Sequence, residues 1–409
     1  ELATRKVEAA KAFYPAVFGW THKTEMMGNF PYTTWSLGAN DPQMIGGMMP
    51  MDESFPSGHV AASTAVYGGI ALLIASRYSD RPWVVRTVWA VAVAASASAQ
   101  TVMKLANATV NDVQHEWQKV FAAELTKRVG DKVKPQIYPA SQLGAIPAMV
   151  EGTLLGTIEA FITPTSFLVS SDPRLMVFDA PGLFQSPRHV VAVLHDPAYR
   201  NHLETMVVSR GLRINGVMFG APTAVLTKKP SRTLADLKGL KIRTFASPLQ
   251  IEPMKSLGVN PIPMALSEVM GQLQSGGIDG LLAGITVLVP FKFYDAAKYV
   301  TELDFAPVIS INVVNEKWYQ AQPKDVQAAI SEAGRAAEAQ MFAWNMPNIE
   351  RSNKAWLDNK GEILKLPADE YAGMMKSFRE IGTKIIADNA GAKAEFEKLV
   401  AVVNAKASK

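Results

Sequence analysis

The chain has 409 residues, 19% of them charged and 48% hydrophobic, which allows two or three domains with a sizeable core. Its net charge of +4 comes without any block of Lys and Arg, so a nucleic-acid partner is not expected, and such mild basicity attracts small anions only weakly at physiological salt. The absence of cysteine excludes disulfides, thiolate chemistry and Cys-based zinc sites.

In chain order, residues 1–52 predict a helix followed by two strands. Ala9, Ala12, Phe13 and Val17 share a helical face, and Tyr32-Thr33-Thr34-Trp35 is a β-rich run. Residues 54–78 carry Pro56-Ser57-Gly58-His59 ahead of small and apolar residues that predict a helix. Residues 81–99 have the form of a secretory signal peptide: Arg81 and Arg86, an apolar run over 87–95, and the small-residue exit Ala97-Ser98-Ala99. The apolar run is too short to span a membrane, and the alternative reading is an Ala-rich buried helix. A signal segment some eighty residues into a chain is unusual. The chain also opens at Glu1 without a Met, which suggests a processed product or an incomplete reading frame.

From residue 100 the signals alternate. Strands are expected at 102–106, 133–138 and 158–162, with helices at 113–129 and 146–155 stopped by Gly130 and Gly156. A second set follows: a strand at 224–227, a short helix at 234–238 with Thr233 as N-cap and Asp236 at N3, and a strand at 241–245. It continues with a helix at 249–257, a strand at 260–264, a helix at 268–274 capped by Ser267, and a strand at 278–282. Two α/β sets predict two lobes with parallel strands and a cleft between them, where ligands bind beyond the carboxyl ends of strands. Beyond 319 the chain reads as helical, over 322–342, 346–360, 368–389 and 394–403. A continuous helix over 324–358 would brace both lobes. The expected division is lobe I at 100–222 and 306–345, and lobe II at 223–305 and 346–409, after an unrelated N-terminal extension (1–52, 53–80 and 81–99).

Three resemblances attach to these motifs. Phe13-Tyr14 and Phe18-Gly19-Trp20 resemble the opening of a glyoxalase-like (vicinal oxygen chelate) module over about half a domain; only His22 and Glu25 could serve its metal site, and both read as solvent-facing. Pro56-Ser57-Gly58-His59 resembles the second motif of PAP2-type acid phosphatases. The partner motifs are missing, because Arg81-Pro82 lies on the wrong side and Ser209-Arg210 has no following His. His59 alone cannot run a two-histidine phosphoryl transfer. The third resemblance is to the periplasmic solute-binding proteins of TRAP (tripartite ATP-independent periplasmic) transporters and covers 102–400. It rests on Tyr138-Pro139-Ala140-Ser141-Gln142-Leu143-Gly144, Phe178-Asp179-Ala180-Pro181-Gly182-Leu183-Phe184 and Asp236-Leu237-Lys238-Gly239-Leu240-Lys241-Ile242-Arg243. Further matches are Asn260-Pro261-Ile262-Pro263-Met264, Gly277-Ile278-Asp279-Gly280, and Lys292-Phe293-Tyr294 with Lys298-Tyr299.

The resemblance implies a two-lobed α/β binding protein with no cofactor and no enzymatic activity, exported to the periplasm and docking on integral membrane transporter subunits. It also implies a salt bridge from Arg243 to a ligand carboxylate, for which the planar guanidinium is suited by its two parallel donors. Other family positions depart from pattern: Thr223 stands in place of a second arginine, Ala283 of an asparagine and Leu266 of a phenylalanine. Pro164 and Phe167, with Ala145 and Ile146, stand where charged residues are common. These changes remove polar groups from the cleft, so the expected ligand is an apolar monocarboxylate. Thr163, Phe167, His115 and Phe219 are further candidates for the lining, with Gln114, Thr165, Ser166, Thr244 and Met218 behind them. Glu159 is expected to be paired and Asp279 to close a turn. A receptor presenting ligand to a signalling partner is an alternative, as is glyoxalase-like or PAP2-like activity from the N-terminal fragments. The sequence leaves homodimerisation open.

Overall fold

The computed structural model describes residues 101–407 and, upstream, three strand segments: β1 (Thr21–Met27), β2 (Phe30–Ser36) and β3 (Met44–Met48). The chain divides into two compact units, Glu1–Ala99 and Gln100–Lys409. In the first unit the segments pair as an antiparallel meander, with Tyr32-Thr33-Thr34-Trp35 inside β2 as expected. The helices expected at 9–17 and 54–78 and the signal-like segment 81–99 lie outside the described residues.

The second unit is built on a mixed sheet whose strands run β5-β4-β6-β11-β7-β10-β8-β9, with β12 beside β11. These are β4 (Thr101–Asn107), β5 (Val133–Tyr138), β6 (Ala160–Pro164), β7 (Leu212–Thr227), β8 (Lys241–Thr244), β9 (Asn260–Pro263), β10 (Gly280–Ala283), β11 (Tyr299–Asn315) and β12 (Glu362–Lys365). The parallel pairs β4–β5, β4–β6, β8–β9 and β8–β10 arise from helical crossovers, as the alternating signals predict. β7 and β11 are the exception. They are antiparallel, 16 and 17 residues long, and run through both halves of the sheet.

Their pairing is continuous from Leu212 to Phe219 against Asn315 to Ile309, apart from a shift at Asn312, and again from Ala224 to Thr227 against Glu302 to Tyr299. Between these stretches the register shifts twice, and Pro222 stands opposite Pro307. Proline has no N–H for the ladder, and bulges kink a strand and strengthen its twist, so the sheet is weakest as a ladder at this point. The sequence reading placed only 224–227 in a strand and missed β11. Gly216, Gly220 and Pro222 interrupt the first run, and Glu302, Asp304 and Pro307 the second, which hides both strands from an alternation test.

Helix α1 (Val113–Val129) forms where expected. Trp117, Phe121 and Leu125 recur every fourth residue and are all fully buried, Trp117 stacks on Phe121 at 4.9 Å, and Gly130, at φ 57°, ends the helix. A Cβ at Gly216 of β7 would overlap the Trp117 indole, so the small residue that weakens the strand signal is what lets α1 dock. α2 (Ile146–Leu155), α3 (Pro187–Leu194) and α4 (Pro197–Met206) follow in the same half. The other half carries α5 (Pro248–Ser256), α6 (Leu266–Ser275) and the short α7 (Ile285–Leu288). The Thr233–Asp236 capping box is present, but on a single 3-10 turn, Leu234–Leu237. Ser267 is not a cap: α6 starts one residue earlier, behind Ala265.

After the short α8 (Glu316–Ala321), the continuous helix expected over 324–358 is present as α9 (Lys324–Asp358), of 35 residues, without the alternative break between 342 and 346. Neighbouring contacts override Pro347 inside it. Asn345 donates through Nδ2 to the carbonyls of Phe219 (2.9 Å) and Gly220 (2.6 Å), and Trp356, fully buried, donates to the carbonyls of Lys298 and Glu362. Nearer its start, Glu338 receives Arg200 Nη2 at 2.8 Å and Val217 N at 2.9 Å. One helix is therefore fastened to both halves. α10 (Ala368–Ala387) and α11 (Ala390–Lys406) complete the chain, with β12 interrupting the otherwise helical C-terminal region. Among the described residues no helix is long and apolar enough to cross a membrane.

Gly334 of α9 lies against β7 so closely that an added Cβ would overlap the carbonyl oxygen of Asn215. Alanine normally improves a helix by about 1 kcal/mol over glycine, but overpacking against backbone costs about 1–3 kcal/mol. Gly334→Ala should therefore lower the unfolding free energy in urea titrations by up to about 2 kcal/mol; an increase would mean that α9 is not seated on β7 this tightly.

Candidate functional site

A cavity of about 560 Å³, the space at its mouth included, opens at the carboxyl ends of β4, β6, β8 and β10, beside the irregular centre of β7 and β11. This is where open α/β sheets place ligands. One half supplies Ala108, Thr109, Asp112, Val113 and Gln114 from the β4–α1 connection, Ile146 from α2, and Pro164 and Phe167 after β6. The other supplies Arg243, Phe245, Leu266, Ala283, Gly284, Thr286 and Val287. The long strands add Gly220, Ala221, Val308 and Ser310.

Arg243 is the dominant charge. β8 pairs in parallel with β9 and β10, setting Arg243 beside Ile262 and Leu281 in the middle of the half-sheet, where it is 2% exposed. Two main-chain acceptors orient the guanidinium: Nε donates to Met264 O and Nη1 to Leu282 O, both at 3.0 Å. Phe245 and Phe167 flank it, their ring centroids 4.9 and 5.5 Å from Cζ. Among the described residues no carboxylate comes within 4.0 Å of it. Burial alone pulls its pKa down to about 10, so it remains a cation at neutral pH, with Nη2 uncommitted to any described protein acceptor.

Of the residues singled out in the sequence, Arg243, Phe167, Leu266, Ala283 and Gln114 line this cavity. Pro164 and Ile146 line it as well, whereas Ala145 does not. Thr223, Thr163, His115 and Phe219 are not among the lining residues. Thr223 directs its hydroxyl across the bulge to the carbonyl of Ala306. Thr163 is fully buried one residue before Pro164, on the alternate side of β6. The Nδ1 atom of His115 accepts the Asn111 N–H at 3.1 Å, and burial lowers its pKa. Phe219 and Met218 face a separate hollow of about 200 Å³ with His195, Glu338 and Phe342. Thr165 donates to Ile309 O at 3.4 Å, and Thr244 is buried. Glu159 accepts Lys104 N at 2.8 Å and Asp279 accepts Lys241 N at 2.9 Å, both in structural roles as expected.

Sequence reasoning missed Thr109, Asp112, Phe245, Thr286, Val308 and Ser310. Asp112 had a readable signal, since it stands immediately before the apolar periodicity of α1 at the end of a strand. Ser310 and Val308 lie in the strand that went unrecognised.

Next to the cavity, Ser166 donates to both oxygens of Asp179 (2.8 and 2.9 Å), and Gln250 Nε2 of α5 donates to Oδ1 at 3.0 Å. Asp179 ties the segment carrying Phe167 to the opposite half.

The family comparisons agree with this architecture. Residues 106–389 match the model for bacterial extracellular solute-binding proteins of family 7, the solute-binding proteins of TRAP transporters, and the chain belongs to that family. It is 29% identical over 279 residues to the 2,3-diketo-L-gulonate-binding periplasmic protein YiaO of Escherichia coli K12, covering 68% of this chain and 78% of that one. The fold is that of two-lobed TRAP periplasmic binding proteins. Examples are the β-D-galacturonate-bound protein of Xanthobacter autotrophicus Py2 (TM-score 0.67, 22% identity, 73% of this chain and 99% of that one) and the ectoine-binding protein of Halomonas elongata (TM-score 0.70, 20% identity, 74% and 99%). Members of this family are transport receptors that bind small molecules and work with membrane subunits; they are not enzymes.

Burial pushes the Asp179 carboxyl up to about 6, against the hydrogen bonds from Gln250 and Ser166. Its folded pKa exceeds its unfolded one, so ionising it costs stability, and the cost appears as pH rises from about 4 to about 6. Relative to Asp179→Asn, the wild-type protein should gain about 3 kcal/mol of unfolding free energy between about pH 7 and about pH 4. A difference that stays constant with pH in parallel urea titrations would show that Asp179 does not titrate in this window.

Proposed function

We propose that the protein captures a small organic monocarboxylate in the periplasm for a TRAP transporter, holding the carboxylate on Arg243. The supporting observation is a guanidinium 2% exposed, oriented by two carbonyls, facing a largely apolar cavity and paired with no carboxylate among the described residues. A ligand carboxylate completes it with charge-assisted, bidentate hydrogen bonds. The surrounding Val113, Ile146, Phe167, Phe245, Leu266 and Val308 suit a carbon frame with few polar substituents along its middle.

On this reading lobe I comprises 100–222 and 306–345, lobe II comprises 223–305 and 346–409, and the ligand contacts both. Closure around it then follows from its differential contacts in the closed state. Residues 81–99 serve as the export signal in the same proposal, and the closed form docks on the transporter's membrane subunits.

Thermal-shift measurements on the full chain against a panel of short carboxylic acids test this. A bound acid raises the melting temperature with the logarithm of its excess over Kd. Arg243→Ala should abolish that response, a loss of about 2–5 kcal/mol in binding, read against the variant's own ligand-free melting temperature. If Arg243→Ala responds to the same acid as wild type does, the arginine is structural and the site is misplaced.

A further inference from the structure

We infer that the cavity has a second pole, built on Asp112, and that its ligand is a monocarboxylate bearing a hydrogen-bond donor, hydroxyl or ammonium, at the end remote from Arg243. This rests on the reading of Arg243 as the carboxylate anchor and deepens it by naming the substrate class.

Asp112 is 1% exposed and lines the cavity from the opposite half of the sheet to Arg243. The two charges do not pair with each other. Oδ1 is committed as the N-cap of α1, accepting His115 N at 3.1 Å. Oδ2 accepts a long bond from Gln114 Nε2, at 3.3 Å, and the Thr109 hydroxyl also favours the charged carboxylate. An ionised carboxylate has about four acceptor positions, so capping accounts for only part of this group. Burial raises its pKa, against the hydrogen bonds from His115 N, Thr109 and Gln114.

A second, independent feature points the same way. Ser310 Oγ lines the cavity, the residue is fully buried, and its hydroxyl has no hydrogen-bond partner among the described residues. Buried hydroxyls are rarely left in this state, so it too faces a group that the protein does not provide.

Charge and chemistry then select among acids. A purely apolar acid would satisfy Arg243 but shut the Asp112 carboxylate and the Ser310 hydroxyl against hydrocarbon, which is unfavourable. A dicarboxylate would bring a second anion to Asp112. A heavily hydroxylated acid would leave polar groups against the apolar middle of the cavity. An acid with one terminal donor meets each wall with its complement, and discrimination by such a donor is steep because the unpaired alternative is penalised.

The test uses the full chain and straight-chain acids from butanoate to heptanoate, each with its ω-hydroxy, ω-amino and ω-carboxy derivative, measured by calorimetry and thermal shift. Asp112→Asn is the informative variant, because asparagine caps a helix as well as aspartate does. In wild type, the best ω-hydroxy or ω-amino acid should bind roughly tenfold to a hundredfold tighter than its unsubstituted parent, with the ω-carboxy acid weakest. Asp112→Asn should remove most of the ω-amino advantage, relieve the ω-carboxy penalty and tighten the unsubstituted acid, whose hydrocarbon no longer covers a charge. If the unsubstituted acids bind as tightly as the derivatives, or Asp112→Asn weakens every acid equally, the second pole is wrong while the Arg243 reading stands. If no acid binds, or binding persists in Arg243→Ala, the carboxylate reading itself fails and this inference fails with it.

Discussion

The β7–β11 pair is the constraint on which the rest of the second unit depends. Two antiparallel strands carry the sheet from one half to the other, and each half grows outward from them by parallel crossovers. Their register is regular at both ends and broken where Pro222 faces Pro307. A ladder interrupted there resists bending less than one with every N–H paired. The hydroxyl of Thr223 bonds across the break to Ala306, replacing part of the missing main-chain pairing. The cavity lies beside this break, so relative movement of the halves changes its shape more than it changes either core. α9 limits that movement, because Asn345 is tied to the carbonyls of Phe219 and Gly220 at the edge of the break.

The electrostatics of Arg243 explain why such a cavity favours anions. Its pKa near 10 against the ordinary guanidinium value corresponds to roughly 3 kcal/mol of unrecovered desolvation. Two carbonyl bonds and two flanking rings offset part of the burial, at about 1.5–3 kcal/mol per charged hydrogen bond and about 1 kcal/mol per ring. The remainder can be recovered only by an anion placed at the uncommitted side of the fork. Low exposure strengthens that interaction, since solvent screens it little. Buried ion pairs inside a protein seldom add stability, but here one partner comes from outside, so the recovered energy is available to binding.

Legibility in the sequence followed physical locality. α1, α2 and β5 were readable to the residue, and β4, β6 and β8 to within two, because capping residues, stop glycines and apolar periodicity act within a few positions. Arg243 was readable because a short motif fixes it at a strand end. The long strands were not, since glycines and prolines that weaken a local strand signal are required by distant partners: Gly216 by Trp117, and Pro222 and Pro307 by the break itself. The continuous helix over 324–358 was legible beside a divided alternative, and contacts with β7 and β12 hold it together through Pro347. The apolar positions Leu266, Ala283 and Phe167 line the cavity that Arg243 enters. The polar ones came from a cap and from an unrecognised strand, so the expected lining was more uniformly apolar than the observed one.

That asymmetry bears on how selectivity arises in this cavity. Ala283, Pro164 and Ile146, where the family resemblance implies polar groups, line the cavity with Leu266, and Asp112 and Ser310 line it too. The two proposed poles, Arg243 and Asp112, belong to opposite halves of the sheet and are joined only through strands that break at the proline pair. A ligand too short to reach both would pair one charge and bury the other uncompensated as the halves approach. One of matching length compensates both at once and gains only when the halves are together. Selection for length and for terminal chemistry is then exerted in the same step as closure, and the irregular centre of two strands becomes part of the recognition site.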